Sequence, residues 1–233
     1  MSGQTPVYRH ELKYVISAAQ LALLKSRIEH LMEKDSHAGP EGVYNIRSLY
    51  FDDYRNSCYY ENENGTDPRE KFRIRIYNHS QERIMLECKR KERGKTHKTA
   101  CALTPEQTRL LVRGEIPENW LEAPVLLRKL VLKMKTSRMR PVVIVEYDRI
   151  PYVYSAGNVR VTFDTHMSSG GDVQTFLEGA SPRRPIMPAG WHLMEVKYDE
   201  FLPDAIYRSL NLSQLQQTAY SKYYLSRKYA LQK

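Results

Sequence analysis

The side chains in this sequence that could do chemistry are lysines, arginines and glutamates set two residues apart. "YRHELKY" (8–14) carries Arg9, Glu11 and Lys13, "KFRIRIY" (71–77) carries Arg73 and Arg75, and "RIMLECKRK" (83–91) carries Glu87, Lys89 and Lys91. Arg160, Thr162 and Asp164 alternate through "VRVTFD", and Glu195 and Lys197 through "LMEVKY". The positions between them are largely apolar, for example Phe72, Ile74 and Ile76, or Val159, Val161 and Phe163. An alternation of two is the period of a β-strand, in which residues two apart share a face about 6.5–7 Å from each other. At least five strands should therefore bear one apolar face and one face dominated by cations.

Two arrangements satisfy that pattern. In one, a half-exposed sheet turns its charged side to water and its apolar side to the core. In the other, the sheet closes into a barrel with a basic lumen, and helices cover its apolar outside. Like charges lined up on one face repel unless an anion neutralises them. A walled, low-dielectric channel would focus their field on such an anion. Arginine and lysine there would grip phosphate oxygens by charge-assisted hydrogen bonds, arginine in bidentate fashion. The few carboxylates fit the same chemistry, because Mg²⁺ or Mn²⁺ on a phosphate commonly takes only one or two protein carboxylates. No persuasive catalytic triad forms around the seven histidines, and phosphoryl transfer needs none, since positioning and electrostatics do most of its work.

Composition agrees with an anionic partner. Lys and Arg total 36 against 27 Asp and Glu, a formal charge of +9 over 233 residues. That surplus suits nucleic acid, a membrane surface or a phosphorylated small molecule. Nucleic acid is disfavoured because the charged strands lack interleaved exposed aromatics on which bases stack. Cys58, Cys88 and Cys101 form no CxxC pair and no metal-ligand spacing, which suits thiols in a reducing cytosol. The first residues hold no apolar signal region, and no run reaches the roughly 18 apolar residues of a membrane span. The expectation is a cytoplasmic protein, with any membrane association left to a partner or a peripheral surface.

The elements that must position these side chains follow from capping and periodicity. Residues 6–16 read as a strand. Ser17 and Gln20 form a capping box for an amphipathic helix striped by Leu21, Leu24, Ile28 and Leu31. Strands are expected over 44–53, 71–77, 83–92 and 95–103, with a hairpin turn at 78–80. Thr104, Pro105 and Gln107 start a second helix, and 120–134 reads as a third, interrupted at Pro124. Strands over 141–154 and 158–165 pair through Ala156-Gly157, 166–190 reads as a mobile loop, 191–199 as the last strand, and two short helices end the chain. Strands that follow each other directly indicate an antiparallel α+β domain spanning 1–233. Tyr14, Tyr50 and Tyr147 read as packing, His79, His97 and His166 as surface residues, one of Asp52 and Asp53 as a turn cap, and Asp164 as support for Arg160 or a metal.

Taken in order, "YRHELKY", "SLYFDD", "FRIRIY", "LECKRK", "VEYDRIPY", "VRVTFDT", "MEVKYD" and "YSKYYL" resemble the VTC catalytic domain, the polyphosphate polymerase branch of the triphosphate tunnel metalloenzymes. The resemblance runs from about residue 7 to 228. It implies an eight-stranded antiparallel β-barrel, the triphosphate tunnel, with helices packed outside. It also implies transfer of the γ-phosphate of ATP to a growing inorganic polyphosphate chain, with Mn²⁺ or Mg²⁺ as cofactor. Carried over by position, Lys13, Arg73, Arg75, Lys89, Lys98, Arg149 and Arg160 are expected phosphate ligands, and all but Lys98 also belong to the expected catalytic set. Lys91 and Lys197, on the same strand faces, join the phosphate site, as do Ser221 and Lys222 of the closing "SKY".

Glu195 is similar to the family's metal-binding glutamate and completes the expected catalytic set. Glu87 and Glu11 are candidates for a second metal ligand or for orienting the lumen cations, the orienting role being favoured for Glu11. Two departures stand out. Arg9 replaces the first glutamate of the superfamily's E-x-E-x-K, which favours the polymerase branch. Ala219 stands where members often carry a second lysine. The SPX domain and membrane segments of eukaryotic members are not seen, which implies a stand-alone bacterial-type enzyme. The alternatives are a tunnel triphosphatase, in which water attacks instead of phosphate, and a non-catalytic polyphosphate or nucleic-acid binder.

Overall fold

A computed structural model of the protein describes residues 9–93, 95–179 and 184–231. Strand β1 (His10–Ser17) runs straight into α1 (Ala18–Ile28). A short β2 (Glu33–Lys34) and β3 (Tyr44–Asp52) precede α2 (Ser57–Glu63). The antiparallel run β4 (Arg69–Tyr77), β5 (Ser80–Glu92) and β6 (Lys95–Leu103) leads to α3 (Pro105–Val112) and α4 (Val125–Ser137). The hairpin of β7 (Arg140–Tyr154) and β8 (Val159–Gly170) follows, then β9 (Arg184–Pro185), β10 (Trp191–Tyr198), α5 (Asp204–Ser209) and α6 (Lys222–Leu231).

Eight of the strands form one antiparallel path in the order β1-β10-β8-β7-β3-β4-β5-β6, with β2 added to β7 and β9 to β8. The ends of that path curl toward each other until Arg9 bridges Thr96. The expected barrel is thus a strongly curled half-barrel whose seam, among the described residues, carries a single bridge in place of a ladder. Helices α1, α4 and α5 lie on its convex side, as expected of a helix-covered barrel, whereas α6 begins at the concave cavity. Two apolar clusters hold the three on the convex side. Leu49, Ile74, Leu86 and Ile144 pack with Leu127, Leu130 and Val131 of α4, while Val161, Phe163, Met194 and Val196 pack with Leu24 and Ile28 of α1 and Ile206 of α5. The period-two alternation sends these residues outward and leaves the charged set on the concave face.

The caps appear as read. Ser17 Oγ accepts from Gln20 N at 3.2 Å while Gln20 Oε1 accepts from Ser17 N at 2.9 Å, and Thr104 and Gln107 reciprocate at 3.1 and 3.0 Å. The helix expected over 120–134 begins only after Pro124, whose fixed φ and missing N–H suit the entrance to a helix and not its interior. Strand β8 runs on to Gly170, with Met167 buried, so the first part of the expected loop is sheet; residues 180–183 of that loop lie outside the described residues. Helix α2 was not anticipated. Its start is held by Asp52, which accepts from Cys58 N at 2.8 Å and Tyr59 N at 3.3 Å, and by Asp53, which accepts from Ser57 N at 2.9 Å. Both aspartates cap, where one was expected. No helix among the described residues is long and apolar enough to cross a membrane.

Candidate functional site

The concave face encloses a cavity of about 810 Å³. Among the described residues that line it, thirteen are Lys or Arg and only Glu11 and Glu195 are carboxylates, so the space itself is strongly positive. Every strand of the eight-stranded path contributes to the wall, and the segment 217–223 at the start of α6 closes part of it.

Three acidic centres organise the cations. The first joins Asp164 and Glu195, 0 % and 5 % exposed. Arg149 donates to both oxygens of Asp164, at 2.7 and 2.8 Å, and Lys222 Nζ lies 2.6 Å from Asp164 and 3.0 Å from Glu195. Lys197 and Arg149 approach the other Glu195 oxygen at 3.3 and 3.5 Å. Burial alone would raise the Glu195 carboxyl, but Lys222, Lys197, Lys13 and Arg149 together hold it well below the usual range. In the second centre, Glu11 accepts from Lys89 at 2.5 Å and pairs with Lys13 at 3.5 Å and Lys197 at 3.7 Å. In the third, Glu87, 2 % exposed, accepts from Arg73 Nε at 2.8 Å and Lys98 at 3.1 Å, with Arg75 at 3.8 Å.

Neutral oxygens complete the wall. Arg73 donates to the Tyr50 hydroxyl at 3.0 Å, and Arg75 to the Tyr147 hydroxyl and Ser48 Oγ, each at 3.2 Å. Burial would raise the Tyr50 phenol, yet Arg73 and Arg75 pull it below its ordinary value. Arg160 is held between the Tyr44 hydroxyl at 2.8 Å and Asp35 at 2.7 Å.

The family model of the VTC domain matches residues 8–231. The chain belongs to the VTC domain family. Its fold is that of the triphosphate tunnel proteins. It is similar to a Hippeastrum protein described as a candidate adenylyl cyclase with a dominant triphosphatase activity (TM-score 0.57, 13% identity, 95% of each chain). It is also similar to a candidate adenylate cyclase from Bacillus halodurans (TM-score 0.53, 14% identity, 95% of this chain and 96% of that one). A third is the PH1819 protein of Pyrococcus horikoshii (TM-score 0.50, 14% identity, 95% and 99%). Identities this low carry the fold alone. Among curated proteins none matches the sequence.

In this VTC domain the expected phosphate ligands Lys13, Arg73, Arg75, Lys89, Lys91, Lys98, Arg149, Arg160, Lys197, Ser221 and Lys222 all line the one cavity, as does Glu195. One expectation is extended and one corrected. Tyr50 and Tyr147 pack in the larger apolar cluster, as expected, and also turn their hydroxyls to the cavity as acceptors for arginines, while Tyr14 packs in the other cluster. Asp164 supports Arg149 and Lys222; Arg160 has Asp35 instead. Glu87, the candidate second metal ligand, has Arg73 on one oxygen and Lys98 on the other, much as Glu195 has Lys222 on one and Lys197 on the other. Arg69 and Lys71 also line the cavity and escaped the sequence reading, although they extend the alternation of Arg73 and Arg75 by two further steps.

The donor set suits a divalent ion that arrives with its phosphates. Among the described residues no cluster of three or more His, Cys, Asp or Glu forms a cage. Glu11 and Glu195 are instead linked by two shared ammoniums, since Lys13 and Lys197 each lie within 4.0 Å of both. One or two carboxylates, with substrate and water supplying the rest, is the coordination expected of Mg²⁺ on a phosphate.

Two lysines of the tunnel titrate near neutrality. Burial, then Arg69 and the neighbouring Lys13 and Lys89, push Lys71 down to about 7 despite Cys58 nearby. Burial and Lys13 do the same to Lys89, to about 7, against the pull of Glu11. Both are charged below that pH and neutral above it, so a bound polyanion should draw protons in. A short linear polysulfonate, whose own charge is constant, should bind at least about tenfold more weakly at pH 9 than at pH 6, about 1.4 kcal/mol. Calorimetry at pH 8 in buffers of different ionisation enthalpy should show proton uptake. Equal affinity across the range, with no uptake, would mean that neither lysine titrates there.

Proposed function

We propose that this VTC domain, residues 1–233 as one catalytic unit, is a cytoplasmic polyphosphate polymerase that moves the γ-phosphate of ATP onto an inorganic polyphosphate chain with Mn²⁺ or Mg²⁺. The observation that carries this reading is the charge of the cavity: thirteen cationic side chains against two carboxylates in its wall. Such an excess suits a ligand with many phosphates, and family membership favours the same ligand.

The geometry supports a mechanism of positioning. Lys13, Lys197 and Lys222, gathered around Glu195, hold the triphosphate, and Arg73, Arg75, Lys89 and Arg149 keep its oxygens in line with the acceptor. Glu195 would hold the metal, with Glu87 or Glu11 as the candidate second ligand, and the metal would neutralise charge on the phosphates. The terminal oxygen of the acceptor chain, already deprotonated, forms a bond to the γ-phosphorus. The bond from that phosphorus to the bridging oxygen of ADP breaks, and the leaving oxygen carries away the electron pair. No side chain needs to take a proton from the nucleophile, which accords with the absence of a catalytic triad in the sequence. The cations act by stabilising charge as it shifts to ADP.

Purified protein incubated with γ-labelled ATP, Mn²⁺ and a short polyphosphate seed tests this. The expected products are a ladder of lengthening chains and ADP. Free phosphate without a ladder would make the domain a tunnel triphosphatase, and unchanged ATP would make it a binding module.

A further inference from the structure

The charge of the tunnel is unevenly compensated. Most of its cations share an acidic centre: Lys13, Lys89 and Lys197 with Glu11, Arg73 and Lys98 with Glu87, Arg149 and Lys222 with Asp164 and Glu195. Arg69, Lys71 and Lys91 differ. All three line the cavity, and among the described residues no carboxylate forms an ion pair with any of them. They lie together at one end of the β4–β5 ladder, where Arg69 stands opposite Lys91 and Lys71 opposite Lys89.

Only neutral groups attend Lys71. Its ammonium donates to Asn62 Oδ1 at 2.5 Å and Ser221 Oγ at 3.3 Å and sits 5.2 Å from the centre of the Tyr223 ring. Arg69 gives one bond, to the Thr66 carbonyl at 2.9 Å, which leaves most of its fork of donors uncommitted. Burial and Arg69 hold Lys71 at about 7, so an anion arriving here would relieve repulsion and gain a full charge partner.

The carboxylates decide which anion belongs where. A triphosphate that carries a divalent metal gains from Glu195 and Glu11, whereas a bare chain is repelled by them. A corner whose cations have no carboxylate within ion-pair distance has the opposite preference. Ser221 touches Lys71, and its neighbour Lys222 touches Glu195, so the two zones adjoin.

We propose that Arg69, Lys71 and Lys91, with Asn62 and Ser221, form the subsite for the metal-free acceptor end of the polyphosphate chain, beside a separate metal–triphosphate subsite at Glu195. This inference rests on the polymerase reading for the word acceptor; the binding preference stands without it.

The test compares wild type with Lys71→Met and with the double variant Arg69→Gln/Lys71→Met in about 0.15 M salt. Two affinities are measured: fluorescent polyphosphate of about fifteen phosphates in EDTA, and tripolyphosphate with saturating Mn²⁺. Chain affinity should fall about tenfold in the single variant and further in the double, as for charge-assisted hydrogen bonds. Tripolyphosphate with Mn²⁺ should bind within about twofold of wild type. Neither variant removes a paired charge, so thermal midpoints should be equal or higher, which guards against misfolding as the cause.

Equal losses for both ligands would overturn the subsite, because the residues would then act only as part of a general field. Unchanged chain affinity would also overturn it. A selective loss of chain binding in a protein whose wild type builds no ladder would sustain the subsite and refute the polymerase. A ladder-forming wild type whose variants keep chain affinity would do the reverse.

Discussion

Replacing Glu195 by Gln should remove metal-dependent turnover, by about 10²–10³-fold or more, and leave a protein that still binds phosphate chains. Glu195 is the buried carboxylate on which Lys222, Lys197, Arg149 and Lys13 converge. Glutamine keeps the shape and hydrogen-bonding reach of the side chain and removes its charge. A metal loses its main anionic ligand, while a bare anion loses a repulsive neighbour. Metal-free tripolyphosphate should therefore bind the variant at least as tightly as it binds the wild type. Asp164 and Glu11 continue to compensate the same cations, so folding should survive, with a lower thermal midpoint that tripolyphosphate restores. Rate, affinity with and without Mn²⁺, and melting together make the check. Undiminished Mn²⁺-dependent activity would remove Glu195 from the metal site.

The second large effect is on stability. Asp52 is fully buried and accepts from the backbone of Asp53, Cys58 and Tyr59 and from the Tyr223 hydroxyl. One carboxylate at the end of β3 thus ties the starts of α2 and α6 to the sheet. Asp52→Ala would strand several buried donors, each costing about 1–3 kcal/mol. The net loss should be at least about 3 kcal/mol, a fall of roughly 10 °C in melting temperature for a chain of this size. Asn62 of α2 and Ser221 and Lys222 at the start of α6 are carried by the same anchor. Weaker binding of phosphate chains should therefore accompany the lost stability, and polyphosphate should recover part of the melting temperature. A wild-type melting curve for Asp52→Ala would show that the helices are held by their apolar faces alone.

How much of this was legible follows from the range of each interaction. Strand faces were readable because alternation is local: Arg73 and Arg75 opposite Ile74 and Ile76 need no knowledge of neighbours. Capping boxes at Ser17 and Thr104 are local too. The pairing of charges is not. Arg149 meets Asp164 because β7 and β8 pair across a bulge between Glu146 and Asp148, and no spacing in the sequence reveals that register. Lys222 reaches Asp164 and Glu195 from a helix that enters the tunnel from outside the sheet. The hydroxyls of Tyr50 and Tyr147 were taken for packing because an aromatic residue on a strand looks alike on either face until the partner arginine is placed. Arg69 and Lys71 could have been found by extending the alternation. What sets them apart, the lack of a carboxylate within ion-pair distance among the described residues, depends on which acidic residues fold toward them.

The seam of the half-barrel has a topological consequence. A fully laddered ring admits a long polymer only by threading a free end. Among the described residues the two ends of the path share one bridge, Arg9 with Thr96, reinforced by the ion pair of Glu11 with Lys89 across the same gap. Among the described residues, parting that side would break this bridge and ion pair and loosen segment 217–221, which bonds to Lys13 on β1 and Lys71 on β4, while the seven strand ladders of the path stay intact. The tunnel is in this sense a clasp: a chain with no accessible end could enter it sideways, and one already inside need not be unthreaded to leave.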